Sequence, residues 1–220
     1  MCGVYITESK SMPEKNDTYL TIAAPSEAVY KDKGSKFLAF AYPVQTLEQV
    51  KTIIEQKRKE FYDARHVCYA YMLGYERAVF RANDDGEPSG TAGKPILGQI
   101  NSAQLTDILI VVVRYFGGIL LGTSGLIQAY KTAAAYAIGT SAIEERIVER
   151  LFAANCGYDM LNSVMRIVKE CRLTVVSQRQ ELDCTLILSV RLSQIEPVKE
   201  RFSKLDFVRF EEYVEAEVGE

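Results

Sequence analysis

The chain predicts an α+β protein of two domains. Three observations carry this. First, 220 residues with 48% apolar and 25% charged side chains are enough for two ordinary cores. Second, strand-like and helix-like periodicities alternate along the first two thirds. Third, the remainder reads strand, helix, strand, strand, helix, strand, the order of a ferredoxin-like split βαβ unit.

Residues 1–18 are polar and unpatterned and read as a flexible leader, with Met12 a candidate alternative start. Tyr19 to Val44 is strand-like, and its aromatic-rich segment Lys36–Tyr42 stops at Pro43. Leu47, Val50, Ile53, Ile54 and Phe61 recur at helical spacing, with Thr46 placed to cap the helix. Strands follow at Val67–Leu73 and Ala78–Ala82 around a turn at Gly74. Ala92–Gln104 reads as a helix. Asp107–Arg114 is nearly continuous in apolar residues, the mark of a strand buried on both faces. A helix opens at Ser124 or Gly125 and ends at Gly139. The pattern changes near Thr140, giving domains at 19–140 and 141–220. The second holds strands at Val148–Cys156, Leu173–Gln178, Cys184–Leu192 and Phe207–Tyr213, and helices at Tyr158–Cys171 and Ile195–Lys204. Residues 1–142 carry 15 basic and 14 acidic side chains; residues 143–220 carry 11 and 15. The glutamate-rich end, Glu211–Glu220, is expected to fray into solvent.

Charge and cysteine usage exclude several classes. A net charge of −3 disfavours nucleic-acid binding through overall charge and leaves only a local basic patch. Cys2, Cys68, Cys156, Cys171 and Cys184 are odd in number and form no C-x-x-C, so neither a disulfide framework nor a zinc knuckle is expected. The longest aliphatic run, Ile108–Val113, is far too short to span a bilayer, and no signal peptide is legible. A cytoplasmic protein with reduced thiols, no membrane association, no metal and no cofactor is the expectation.

Two stretches hold seven of the fourteen glycines: Asp84–Pro95 (DDGEPSGTAGKP) and Arg114–Leu126 (RYFGGILLGTSGL). Each glycine costs conformational entropy on folding, so such density marks tight turns or close backbone approach. The second stretch joins a buried strand to a helix. Amides of Gly117, Gly118 and Gly122, the hydroxyls of Thr123 and Ser124, and Arg114, with Lys94 from the first stretch, are therefore candidates for holding a phosphate. The alternative is that the glycines let helix pack on sheet and Ser124 caps the helix. The spacing is not G-x-G-x-x-G, which argues against a dinucleotide. Gly93-Lys94-Pro95 misses the phosphate-loop pattern, because Pro88 stands where a glycine is needed and no hydroxyl follows Lys94. Asp84, Asp85 and Glu87 are oxygen ligands by type but lack a cation-binding spacing; a solvated turn is the plainer reading.

His66 is the only histidine. With Asp63 to orient it, or Cys68 two residues on along one strand face, it is a candidate proton carrier; Asp85 is the second catalytic candidate. A hydrogen-bonded structural histidine is the alternative. Lys36, Lys57, Arg58, Lys59 and Arg65, interleaved with Phe37, Phe40, Phe61 and Tyr62 and preceded by Lys31 and Lys33, form a candidate nucleic-acid surface. A solvated helix face with its aromatics in the core is the competing reading.

Gly34-Ser35-Lys36-Phe37, Asp63-Ala64-Arg65-His66, the whole of Asp84–Pro95, Val113–Gly118, Leu121–Leu126 and Ala129-Tyr130 together resemble the YigZ/IMPACT family over about residues 19–140. The resemblance implies a first domain with a two-layer α/β fold of ribosomal-protein-like type. It implies a second domain like the fifth domain of elongation factor G. Both relatives work on or beside RNA and the ribosome. Eukaryotic IMPACT proteins regulate translation under amino-acid starvation by binding a partner protein, using an additional domain that this chain lacks. The implied function is a non-catalytic, RNA- or ribosome-associated regulator of translation, whose partner is RNA, the ribosome or a translation-associated protein. The competing expectation is an enzyme, a hydrolase or transferase, acting on a phosphorylated small molecule through His66, Asp85, Arg114 and the glycine loops. Fold analogy alone does not choose between them. Oligomeric state is left open.

Overall fold

A computed structural model describes residues 17–213. The expected leader up to Asn16 and the acidic end beyond Tyr213 lie outside the described residues. Two compact units result, Thr18–Arg146 and Ile147 onward together with Asp17. The division falls a few residues beyond Thr140, because the segment after it pairs back with the start of the first unit. That segment, β7 (Ile143–Ile147), forms a two-stranded sheet with β1 (Thr18–Ile22). Thr18 thus opens a strand rather than closing a leader.

The first unit is built on a five-stranded antiparallel sheet of β2 (Ser26–Asp32), β3 (Ser35–Pro43), β4 (His66–Leu73), β5 (Val79–Asn83) and β6 (Ile108–Tyr115). Its spatial order is β2-β3-β6-β4-β5, so the apolar β6 lies at the centre. Residues Ile108–Arg114 of that strand are all buried, as the unbroken aliphatic run requires.

On one face, Phe37, Ala39, Cys68, Ala70, Ile110 and Val112 pack against α2 (Gly93–Ser102) and α3 (Gly122–Gly139) through Ile96, Ile100, Leu126, Tyr130 and Ala133. The row of alanines on α3 lets the helix lie close to the sheet. On the other face, Phe40, Val67, Tyr69, Val111 and Val113 pack against α1 (Leu47–Glu60) through Val50, Ile53 and Ile54. Helix therefore covers both faces: α2 and α3 make the expected two layers with the sheet, and α1 adds a third.

Helix α1 begins at the capping box that Thr46 announces. Thr46 Oγ1 accepts from Gln49 N at 3.2 Å, and Gln49 Oε1 accepts from Thr46 N at 3.3 Å. Helix α3 begins at Gly122, ahead of Ser124. Its N-cap is Leu121 and no side chain caps it, so Ser124 sits inside the first turn and is not the cap.

The second unit carries β8 (Glu149–Cys156), α4 (Leu161–Glu170), β9 (Thr174–Gln180), β10 (Cys184–Arg191), α5 (Ile195–Phe202) and β11 (Val208–Glu212). The sheet runs β11-β8-β10-β9 and is antiparallel throughout. Both helices bury one face against Phe152, Leu186, Leu188 and Val190. Phe210 stacks between Phe202 and Phe152, at 4.1 and 4.9 Å between centroids. The architecture is α+β, as the alternating periodicities require. No helix among the described residues is long and apolar enough to cross a membrane.

Candidate functional site

The glycine-rich stretches meet at one end of the first sheet, where β3 and β4 begin and β6 ends. Register places Phe37 opposite Arg114, and Arg114 opposite His66. All three side chains therefore face α3.

Arg114 is the centre of this end. Its Nη1 donates to Glu87 Oε1 at 2.7 Å, with the two side chains 8% and 3% exposed. The same carboxylate oxygen accepts the hydroxyl of Tyr130 at 2.8 Å, and Tyr130 in turn lies 3.3 Å from the Cys68 thiol. The guanidinium lies over two rings, 5.6 Å from the centroid of Phe37 and 5.7 Å from that of Phe116. Tyr130 meets Phe37 edge-on at 5.2 Å. Among the described residues Arg114 Nε is buried without a hydrogen-bond partner, so the rings and Glu87 carry the charge. Burial pushes the Cys68 thiol up to about 12, and burial with the nearby Cys68 and Glu87 drives the Tyr130 phenol up as well. Cys68 is thus a protonated thiol. It donates to the carbonyl of Asp84 at 3.0 Å, and among the described residues no hydrogen bond joins it to His66.

The acidic loop is closed on itself. Asp84 Oδ1 accepts the amides of Ala92 at 3.0 Å and Gly93 at 2.8 Å, while Oδ2 accepts that of Gly90 at 2.8 Å. Burial opposes ionisation of Asp84. The three amides and nearby Lys94 outweigh it and hold the carboxyl below its usual range. Asp85, at φ +44°, accepts Val67 N at 2.7 Å on one oxygen and Arg58 at 2.6 Å on the other. Its carbonyl meets His66 Nδ1 at 2.8 Å. Lys94 is exposed at the start of α2. Among the described residues no cluster of three histidine, cysteine or acidic side chains has the geometry to hold a metal ion.

Gly117 explains the second stretch. A Cβ there would overlap the backbone of Gly34 in the β2–β3 turn, and its amide donates to the buried Ser35 hydroxyl at 3.2 Å. Close approach of two backbones is the reason for glycine here. Beyond this point the loop turns outward through Gly118 at φ +85° and Gly122 at φ +71°. It leaves Phe116, Ile119 and Leu120 53%, 55% and 83% exposed. Thr123 and Ser124 are exposed on the first turn of α3.

The basic candidates divide. Lys57 lies 4.0 Å over the Phe40 ring and pairs with Glu60 at 2.7 Å, so it belongs to the packing of α1. Arg58 is held by Asp85. Lys36, Lys59 and Arg65 are exposed. Lys31 stands opposite Lys36, and Lys36 opposite Tyr115. Arg65 lies in the bend just before β4, next to His66, which stands opposite Arg114. Lys31, Lys36 and Tyr115 form one cross-strand row on the α1 face, with Tyr115 donating to Asp63 at 2.8 Å. Tyr62 is 85% exposed at the end of α1.

Sequence reasoning gave no role to Tyr130, the fully buried hub of the network. An aromatic on an alanine-rich helix reads as core, and only tertiary structure brings Glu87 to its hydroxyl.

The family model described as the Impact N-terminal domain matches residues 33–138, the stretch that holds both glycine loops and the network. An IMPACT family member of Haemophilus influenzae is 35% identical over 74% of this chain and 81% of its own length. The IMPACT family member YigZ of Escherichia coli is 35% identical over 70% of this chain and 77% of its own. Among solved structures, the crystal structure of a hypothetical protein aligns with a TM-score of 0.68 at 28% identity, over 91% of this chain and 99% of that one. Since these relatives are matched over most of their length and not at the loops alone, the chain belongs to the IMPACT family.

Proposed function

We propose that this protein is a non-catalytic regulator of translation that binds RNA on the ribosome. The observation that carries the reading is the row Lys31–Lys36–Tyr115, which sets two exposed cations in register across neighbouring strands, with a third exposed cation, Arg65, in the bend just before β4. Fixed spacing on a rigid sheet suits a phosphate backbone, whereas the same charges scattered on a solvated helix would not. The family resemblance supplies the translational setting.

The candidate site favours this reading over an enzyme. Arg114 is occupied by Glu87, Asp84 by three amides, Asp85 by Val67 and Arg58, and Cys68 is a protonated, buried thiol. These groups hold two loops in shape, and that shape presents the outer surface.

Co-sedimentation with purified ribosomes at low and moderate salt tests the proposal. Binding is expected to weaken steeply with salt. A Lys36→Ala/Arg65→Ala variant is expected to bind less tightly at low salt and to flatten the log–log salt slope by about 1.5, at roughly 0.7–0.9 for each phosphate that is no longer neutralised. Absence of binding at low salt, or binding indifferent to ionic strength, would remove the reading.

A further inference from the structure

We propose that Phe116 is a stacking platform for an unpaired RNA base. The inference rests on the RNA reading above and names which part of the nucleic acid is held, and where.

One side of the ring is fixed from below. The Arg114 guanidinium lies 5.7 Å from the centroid of Phe116 and 5.6 Å from that of Phe37, which is fully buried, and Glu87, itself held by Tyr130, pins the guanidinium. The next residue, Gly117, is locked against Gly34 and Ser35. Phe116 therefore projects from an anchored backbone, backed by a guanidinium that cannot swing away, yet remains 53% exposed. A preorganised flat ring with an open side loses little entropy on receiving a second flat ring. The nearby cation draws density from the ring and suits it to an electron-rich base.

The surroundings fit a nucleotide rather than an apolar peptide. The turn that Gly117 touches is Lys33-Gly34, and Lys33 on it is exposed. A cation on the neighbouring turn is suited to a phosphate beside a stacked base. Ile119 and Leu120 continue the loop and give the platform an apolar border.

The arrangement requires an unpaired base, because a base stacked within a duplex keeps its faces covered. The chain contains no tryptophan, so Phe116→Trp introduces a single indole reporter at the position in question. Wild type, Phe116→Trp and Phe116→Leu are titrated with a single-stranded oligoribonucleotide of about ten nucleotides, a length within the usual site size, and with the same strand in a duplex. Thermal unfolding of each variant is measured in parallel.

The expected result is quenching of the indole by the single strand and not by the duplex. Phe116→Leu, folded like wild type, is expected to lose about five- to hundredfold in affinity for the single strand, and Phe116→Trp to retain it. If wild type binds the single strand with salt dependence while Phe116→Leu binds equally well and the indole is unquenched, stacking is overturned and the RNA reading survives. If wild type binds ribosomes but no oligoribonucleotide, and Phe116→Leu abolishes the ribosome binding, the loop docks on protein and the inference is likewise overturned. If wild type binds neither, both readings fall together.

Discussion

Glu87 and Arg114 are two charges removed from water, and each is tolerated because the other is 2.7 Å away. Removing one partner of such a pair leaves the survivor uncompensated, at a cost of about 3–5 kcal/mol. Arg114→Met alone is therefore expected to destabilise the first unit by about that much in urea unfolding. The double variant Glu87→Leu/Arg114→Met is expected to recover a large part of the loss, because an apolar pair needs no compensation. A double variant no more stable than Arg114→Met would mean that the charges themselves are not what the site holds in balance. Lys57 makes a related point about legibility. Its position among Arg58 and Lys59 reads as an exposed basic run, but its ammonium lies over Phe40, a residue of another element. Charge runs in sequence do not reveal which member is drawn onto an aromatic face.

At the scale of elements, the loop Asp84–Ala92 behaves as one unit organised by a single carboxylate. The folded-state pKa of Asp84 lies below its ordinary value, so the unfolded chain takes up the proton first as pH falls. The stabilisation is complete at neutral pH and is lost as pH drops through and below the usual carboxylate range, near 4. Asp84→Asn is expected to cost about 1.5–3 kcal/mol at pH 7, the worth of hydrogen bonds to a charged acceptor. Its difference from wild type is expected to narrow toward pH 3, followed by chemical unfolding across the range. A pH-independent difference would show that the charge contributes nothing.

The elements differ in how far sequence exposes them. Strand β6 was legible because its stretch covered on both faces, Ile108–Val113, is wholly aliphatic, and α1 because Thr46 and Gln49 form its cap locally. The start of α3 was not legible, since Gly122-Thr123-Ser124 carries loop residues and the helix begins there without a side-chain cap. The β1–β7 pairing escaped for another reason: it joins segments more than a hundred residues apart, and neither pattern names its partner. The candidate site divides the same way. Its residues stand out as glycines and charges, but whether a charge is open or spent depends on pairings such as Tyr130 with Glu87 that only the fold creates.

For the whole molecule, each unit has its own buried cluster, and the first has two, one on either side of its sheet. A piece comprising Thr18–Arg146 is accordingly expected to fold alone, with one cooperative urea transition and intact near-ultraviolet dichroism. A non-cooperative or aggregated product would show that this unit depends on the rest of the chain.

The buried thiol at the end of the network has a further use. A group protonated until about pH 12 and shielded from solvent reacts with alkylating reagents only when its surroundings open. Cys68 is thus a native clock for the first unit, and Cys156 and Cys184, buried in the sheet of the second, serve the same purpose there. Mass-resolved alkylation over time would report the breathing of each unit separately, in the unmodified protein and without an attached label. Ribosomes added to the same reaction would show which clock they slow.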